Sequence, residues 1–277
     1  TSLATYQLNN ATTSIPSNTY PGTASNITYA AGKFGNAAVF NGSSSNISLP
    51  LSSWLSSTSA KSCSVWFKTS ATGGGNRAII SDYGSGASYN FDCFLIPTDG
   101  KIFLVTNRGT QYYTSSINSF NDGQWHLAVI VDDIPNGNTK LYVDNNQEIS
   151  ISTGSGTVAS TVLYIGTYGT GYYWDGSIDQ VRIFNTALSQ AAITALYNET
   201  TTTAQSASVD YQLANPNSIA YYKMSDATDQ LGNYNGTATN VNFNTEGKFG
   251  FAGAFNGSSS YINFGDPTSL RLTGSYS

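Results

Sequence analysis

The side chains of this chain that could do acid–base, nucleophilic or metal chemistry are few and scattered. Its glutamates are Glu148, Glu199 and Glu246, which fall in a predicted strand, at a helix end and in a loop. Hydrolysis of a glycosidic bond needs two carboxyl groups directed into one cleft, and no such pairing of glutamates is visible. His126 is the single histidine, in DGQWHLAVIV. A catalytic triad or a zinc site needs more partners than it has, with no second histidine and no cysteine cluster, so His126 reads as a packed or hydrogen-bonded residue. Cys63 and Cys93 lie in two predicted strands, SCSVWFKT and NFDCFLIP, and read either as a disulfide or as two buried thiols.

The aromatic residues point to a different kind of chemistry. Tyr172, Tyr173 and Trp174 lie in YGTGYYWDG between two strands, and Tyr83 and Tyr89 flank GSGAS. Aromatic rings on loops offer flat apolar faces on which sugar rings stack, while neighbouring Asn, Asp and Gly groups hydrogen-bond hydroxyls. The same residues also admit two plainer readings, in which Trp174 plugs the edge of the fold or the loops meet another protein.

Composition fits a displayed or secreted binding surface. Charged residues make up 10% of the 277, against roughly 25% in ordinary soluble proteins, and Gly, Tyr, Ser, Thr and Asn take their place. Hydrophobic residues at 39% are enough for a core. Net charge is −5 with no Lys/Arg cluster, which argues against nucleic acid and anionic membranes as partners. No run of about 18 apolar residues exists to insert into a membrane, and the opening TSLATYQL does not read as a signal peptide.

Short runs alternating apolar with polar residues, bounded by Gly, Asn, Asp and Ser, are the period-2 signature of strands. About a dozen lie between residues 37 and 184, joined by Asn41-Gly42, Asp99-Gly100, Asp122-Gly123 and Asn136-Gly137 turns. That density predicts a large antiparallel sandwich. One helix is predicted over 187–199, with Ser189 as its N-cap. TTTTAQSAS then reads as a linker over 201–216.

After it, GKFGNAAVFNGSSS of residues 32–45 returns as GKFGFAGAFNGSSS at 247–260. The flanking residues match too, so the chain reads as an internal repeat of roughly 215 residues. The first copy spans 1–200. The second, 217–277, covers only the N-terminal part and is expected not to stand alone, because its core face would be open. Within each copy FNGSSS is expected to form a hairpin turn, with Phe40 and Ile47 of the first copy facing the core.

GKFGNAAVFNGSSSNISL, SCSVWFKT, DGQWHLAVIVDD with TKLYVDN, and DGSIDQVRIFNTALS with ITALYNE, in that order, resemble the signature segments of laminin-G-like domains of the concanavalin A-like lectin/glucanase superfamily. The resemblance implies an all-β fold, an antiparallel jelly-roll sandwich with one short C-terminal helix. Glycan-cleaving members carry a Glu-x-Asp-x-x-Glu strand, which is absent here, so no enzymatic activity is expected. Similar sandwiches often hold a calcium ion through a carboxylate of the strand matching GSIDQVRIF and carbonyls near the FNG turn. Asp179 and Gly42 are the corresponding residues, unless Asp179 simply accepts backbone N–H bonds. Together these features predict a non-enzymatic adhesion or structural protein of tandem domains. It would lie outside the cell or on a virion fibre or appendage, and would bind glycans, protein surfaces or other copies of itself. The alternative is a secreted carbohydrate-binding accessory module of a larger glycan-degrading enzyme.

Overall fold

The computed structural model describes residues 2–199, apart from 11, 13, 16–19, 83–88, 155, 157, 159 and 170, and beyond them residues 222, 226–229, 233–246 and 251–265. The chain divides into two compact units, Ser2–Thr202 and Thr203–Ser277. The predicted linker over 201–216 lies outside the described residues.

The first unit runs β1 (Ser2–Tyr6), β2 (Ser14–Ile15), β3 (Thr23–Ser25), β4 (Thr28–Ala31), β5 (Asn36–Asn41), β6 (Asn46–Leu49), α1 (Ser52–Ser56), β7 (Lys61–Lys68), β8 (Arg77–Ser81), β9 (Tyr89–Leu95), β10 (Lys101–Asn107), β11 (Gln111–Ser119), β12 (His126–Asp133), β13 (Asn138–Val143), β14 (Asn146–Ser152), β15 (Leu163–Ile165), β16 (Asp175–Phe184) and α2 (Gln190–Tyr197). All pairings are antiparallel, in two sheets. One has the order β14-β13-β12-β7-β16-β1-β2, with β5 also on β16 and β4 on β5; the other has the order β11-β10-β9-β8-β15-β6-β3.

Alternation along each strand sorts the side chains. On β7, Cys63, Val65 and Phe67 enter the core between the sheets, where they meet Phe91, Cys93 and Leu95 of β9. Cys63 and Cys93 are free thiols on opposite sheets, and burial pushes the pKa of both upward. The intervening Trp66 points the other way, into a second core with Phe34, Leu127, Val129, Tyr142 and Ile193. That core exists because α2 covers the outer face of the first sheet, stacking Tyr197 on Trp66 at 6.1 Å between ring centroids. Ser189 is the N-cap and accepts from the Ala192 N–H. The helix is shorter than its sequence suggests, because it begins only after the Ser189 cap, and the Leu188 N–H before it donates to Ser62 Oγ.

The FNG segment departs from the expected hairpin. β5 and β6 belong to different sheets, so Asn41-Gly42 carries the chain across the sandwich edge. Asn41 Oδ1 accepts the N–H groups of Ser43, Ser44 and Ser45, while Ser45 Oγ donates to the Asn26 carbonyl. These local bonds replace ladder bonds that the crossing cannot make. Phe40 and Ile47 do face the core, at 2% and 0% exposure.

Phe40 fits there only because residue 166 is glycine: a Cβ would lie 2.2 Å from its ring, at a φ of +76°. Gly166→Ala is therefore expected to destabilise the first unit by about 2–4 kcal/mol, the sum of overpacking and left-handed strain. Urea unfolding checks this, and a loss below about 1 kcal/mol would contradict the close approach.

Candidate functional site

The outer face of the second sheet carries an aromatic row. On β9 and β10, Phe91, Cys93, Leu95, Ile102 and Leu104 point into the core, which leaves Phe94, Phe103 and Val105 on the opposite face. Register sets them side by side: Phe103 lies opposite Phe94, and Val105 lies between Asp92 and Tyr113. Tyr113 of β11 packs on Phe103 at 5.6 Å and is 64% exposed.

The other end is built by the turn between β15 and β16. Tyr168 and Gly171 bond each other's backbone, and Thr167 Oγ1 closes the turn on the Gly169 and Gly171 carbonyls. Tyr172 follows with φ +53°, a conformation that costs a bulky residue about 1–2 kcal/mol. Its carbonyl is held by the Ala78 N–H at 2.7 Å. The strained backbone lays the Tyr172 ring, 47% exposed, against Phe94 and Tyr168 at 5.6 Å each, with Tyr168 on Phe94 at 5.2 Å. Tyr164 also faces outward, opposite Ser81 on β8.

In the middle of this face sits Asp92, buried, with Oδ1 lacking a hydrogen-bond partner among the described residues. Burial, and then the neighbouring Asp82 charge, push its pKa well above the carboxylate range. Asp82 itself is occupied, accepting from the Asn90 and Phe91 N–H groups and the Asn90 side chain. Two pockets of about 200 and 300 Å³ lie off this face, the first against Thr69 and Asp175, the second against Trp54 and Lys61.

The aromatic residues expected from the sequence have separate fates. Tyr172 belongs to the row. Tyr173 is half-buried, its carbonyl bonded to the Arg77 guanidinium. Trp174 is no surface platform: it is 0% exposed, edge-on to Phe67 at 5.8 Å in the core. Its backbone is fixed by Gly166 and Gly42, which leaves the ring only the inward direction. Tyr89 opens β9 and Tyr83 lies outside the described residues. Phe94, Phe103 and Tyr113 were missed because they stand in strands. The signal was there, since FDCFL and KIFLV carry apolar residues at both parities, as strands covered on both faces do.

The calcium pair is not assembled, and the residues do not fit the ion. Asp175, not Asp179, stands beside Gly42, and the Gly42 carbonyl is bound by Arg77 Nη1 at 3.0 Å. Asp179 is buried and accepts the Phe34 and Gln180 N–H groups at 2.9 and 2.8 Å. Burial pushes its pKa up to about 7 against those bonds. Backbone donors, not oxygen ligands, surround it, the reverse of what Ca²⁺ requires. Among the described residues no cluster of three or more metal-ligating side chains exists.

His126 bridges two carboxylates, Nδ1 to Asp144 at 2.6 Å and Nε2 to Asp122 at 3.0 Å, with Phe67 and Phe120 against its ring. Burial lowers its pKa, but the bonds to Asp144 and Asp122 outweigh that and the net shift is upward.

A sandwich of this topology defines a lectin-like class. The chain belongs to the concanavalin A-like lectin/glucanases superfamily, matching its laminin-G-type family model over residues 41–194. Among similar solved structures is domain 4 of AbnA, an extracellular arabinanase from Geobacillus stearothermophilus, in complex with arabinotriose. It is 27% identical, with a TM-score of 0.59 over 70% of this chain and 97% of that one. Binding domains of botulinum neurotoxin serotype D share the fold at 17–18% identity and a TM-score of 0.55, one of them in complex with N-acetylneuraminic acid. This chain spans about half of those domains. Among curated proteins, none matches the sequence.

Two measurements check the site. Trp174→Ala is expected to cost about 3–5 kcal/mol of stability, whereas Tyr172→Ala, which removes a half-exposed ring and keeps the same backbone strain, should cost under about 1 kcal/mol. For His126, whose folded pKa exceeds the ordinary value of about 6.5, the stability contribution is complete below that value and is lost as pH rises through the folded pKa. The melting temperature should therefore fall on going from about pH 6 to pH 9, and His126→Gln should flatten that fall. An equal slope in the variant would remove His126 as its cause.

Proposed function

We propose that the first unit is a non-catalytic carbohydrate-binding module. It binds a linear oligosaccharide across the exposed rings of Tyr172 and Tyr113 and the partly buried Tyr168 and Phe103, with the buried Phe94 backing them from beneath. The observation that carries this reading is the row itself: two groups of ring contacts, Tyr172–Tyr168–Phe94 and Phe103–Tyr113, set side by side by the register of Phe94 opposite Phe103, in a chain with few charged residues. Pyranose and furanose rings stack on such faces through their C–H groups, while amide and hydroxyl side chains bond their hydroxyls. The likeness at 27% identity to an arabinanase domain held with arabinotriose supports an accessory role beside a glycan-degrading enzyme outside the cell. The rival reading, a tandem adhesion protein on a virion fibre, rests on composition and on the recurrence of GKFG and FNGSSS. Neither names a virion, so the accessory module is the better-supported assignment.

The surroundings of two acidic residues support the part of this proposal that has the module bind without cleaving. Asp92 is buried and held toward its neutral form, and Asp82 is engaged by backbone donors. In this reading neither carboxylate serves as the acid or nucleophile of a hydrolase, whose paired groups both face the sugar.

Calorimetry with arabinotriose and other linear oligosaccharides tests the reading. Tyr113→Ala and Tyr172→Ala are each expected to weaken binding about tenfold, or about 1.4 kcal/mol, with little change in melting temperature and no release of reducing sugar by the wild type. Unchanged affinity in both variants would reject the row as the binding face.

A further inference from the structure

The larger of the two cavities, about 300 Å³, shares no residue with the aromatic row and lies between α1, the start of β7 and the start of β1. The segment 52–61 makes one side of it. Trp54 Nε1 donates to the Phe184 carbonyl at 3.2 Å, which pins α1 to the end of β16. Ser57, extended at ψ 139°, ends the helix. The Lys61 side chain then turns back and donates to the Trp54, Leu55 and Ser57 carbonyls at 2.8, 3.0 and 2.8 Å. A short helix leaves such carbonyls without partners, so the loop closes around a buried ammonium.

The other side comes from β1 and the segment after β2. The ladder of β1 on β16 shifts register between the Ser2–Phe184 and Ala4–Ile183 pairs, with Leu3 left between them. Such an irregularity turns a side chain out of the alternation. Leu3 and Tyr20 are half-buried against the main core, and both line the cavity. The Tyr20 carbonyl accepts from the Tyr6 hydroxyl at 2.8 Å, which fixes its backbone.

Exposure sorts the lining into a floor and a rim. Trp54 and Lys61, 4% and 1% exposed, form the floor, whereas Ser53, Ser59 and Asn185 are exposed and form the rim. The Ser59 N–H donates to Ser57 Oγ at 3.1 Å, which holds the rim in shape. Among the described residues, the Ser53 and Ser59 hydroxyls and the Asn185 side-chain amide have no hydrogen-bond partner, so all three are available to a ligand. The floor offers no charge. An ammonium has three protons, and those of Lys61 are spent on the three carbonyls, while no carboxylate lines the cavity.

We infer that this cavity is a second carbohydrate site, separate from the row, which takes one uncharged sugar residue at a chain end or a branch. Its volume stands at the lower end of the roughly 300–1,000 Å³ of small-molecule sites, which suits a small ligand and not a chain laid lengthwise. The C–H face of the ring packs on Leu3 and the Tyr20 ring, and the hydroxyls meet Ser53, Ser59 and Asn185 at the mouth. The carboxylate of a uronic or sialic acid would lose water here with no free cation to pair it, so acidic sugars are excluded. The site does not rest on the row being the binding face, because different elements build it.

Titration of the isotope-labelled full chain with D-glucose, D-galactose, D-mannose, L-arabinose and D-xylose, followed by amide NMR, tests this, with D-glucuronic acid as the charged control. At least one of the neutral sugars is expected to shift the Trp54 indole N–H and the amides of 53–61 saturably, with a Kd on the order of 1 mM. D-glucuronic acid should move none of them. Ser59→Ala combined with Asn185→Ala should weaken the response about tenfold at an unchanged melting temperature, since both residues are exposed. Tyr113→Ala, in the row, should leave it as it is. The inference is overturned if no neutral sugar gives saturable shifts at 53–61, if D-glucuronic acid gives equal ones, if the double variant binds like the wild type, or if Tyr113→Ala abolishes the response.

Discussion

Much of the first unit depends on one buried carboxylate at the point where a central strand changes neighbours. β16 pairs with β5 along Asp175–Ile178 and with β1 along Val181–Phe184, on the same side. Between the two lies an irregularity, with Gln180 at φ +47°. The exchange leaves backbone donors without ladder partners, and a buried orphan N–H costs about 1–3 kcal/mol. Asp179 supplies the missing acceptors, one oxygen to Phe34 and one to Gln180. The approach is so close that a Cβ on residue 32 would lie 2.7 Å from Oδ2, so GKFG begins with a glycine. A residue that suggested a cation site is thereby a substitute for sheet hydrogen bonds at an irregularity of the ladder.

The same junction orders the rest. With β16 in place, β7 is fixed between it and β12, which presents Trp66 outward for α2 to cover. The opposite end of the sandwich is closed by a second buried acid, Asp132, which pairs with Arg108 from the β10–β11 turn on the other sheet and accepts from Thr139. Burial raises its pKa while Arg108 pulls it down. Such a pair contributes less to net stability than to register, because desolvation offsets much of the attraction. Charges in this chain are scarce, and several are spent inside as connectors, which leaves the outer face of the second sheet to aromatic and uncharged polar groups.

That distribution is what makes a sugar-binding reading coherent. A surface with few charges keeps little bound water in strong fields, and its aromatic rings gain most from partners that are themselves apolar on one face and polar at the rim. Tyr172 shows the local expense: a tyrosine held in the left-handed region by a single hydrogen bond to Ala78, with its ring half in solvent. Strain of this kind persists where the surrounding structure over-determines it, and it often marks a working surface.

From the sequence by itself came the all-β class, the antiparallel alternation, the Ser189 cap, and the inward direction of Phe40 and Ile47. Each depends on a period of two or on turn chemistry within a few residues. The recurrence of FNGSSS was equally legible, since the Asn41 and Asn256 bonds span no more than four residues. What only the tertiary structure decided concerns relations across long separations. It put β5 and β6 on different sheets, because an Asn-Gly step reads the same in a hairpin and in a crossing. It buried Trp174 while leaving its neighbour Tyr172 exposed, because backbone bonds from Gly166 and Gly42 set which way each ring turns. It gathered Phe94, Phe103, Tyr113 and Tyr168 on one face, because adjacency across strands comes from pairing register, and register between β8, β9, β10 and β11 is a property of the folded sheet that no local stretch of residues contains.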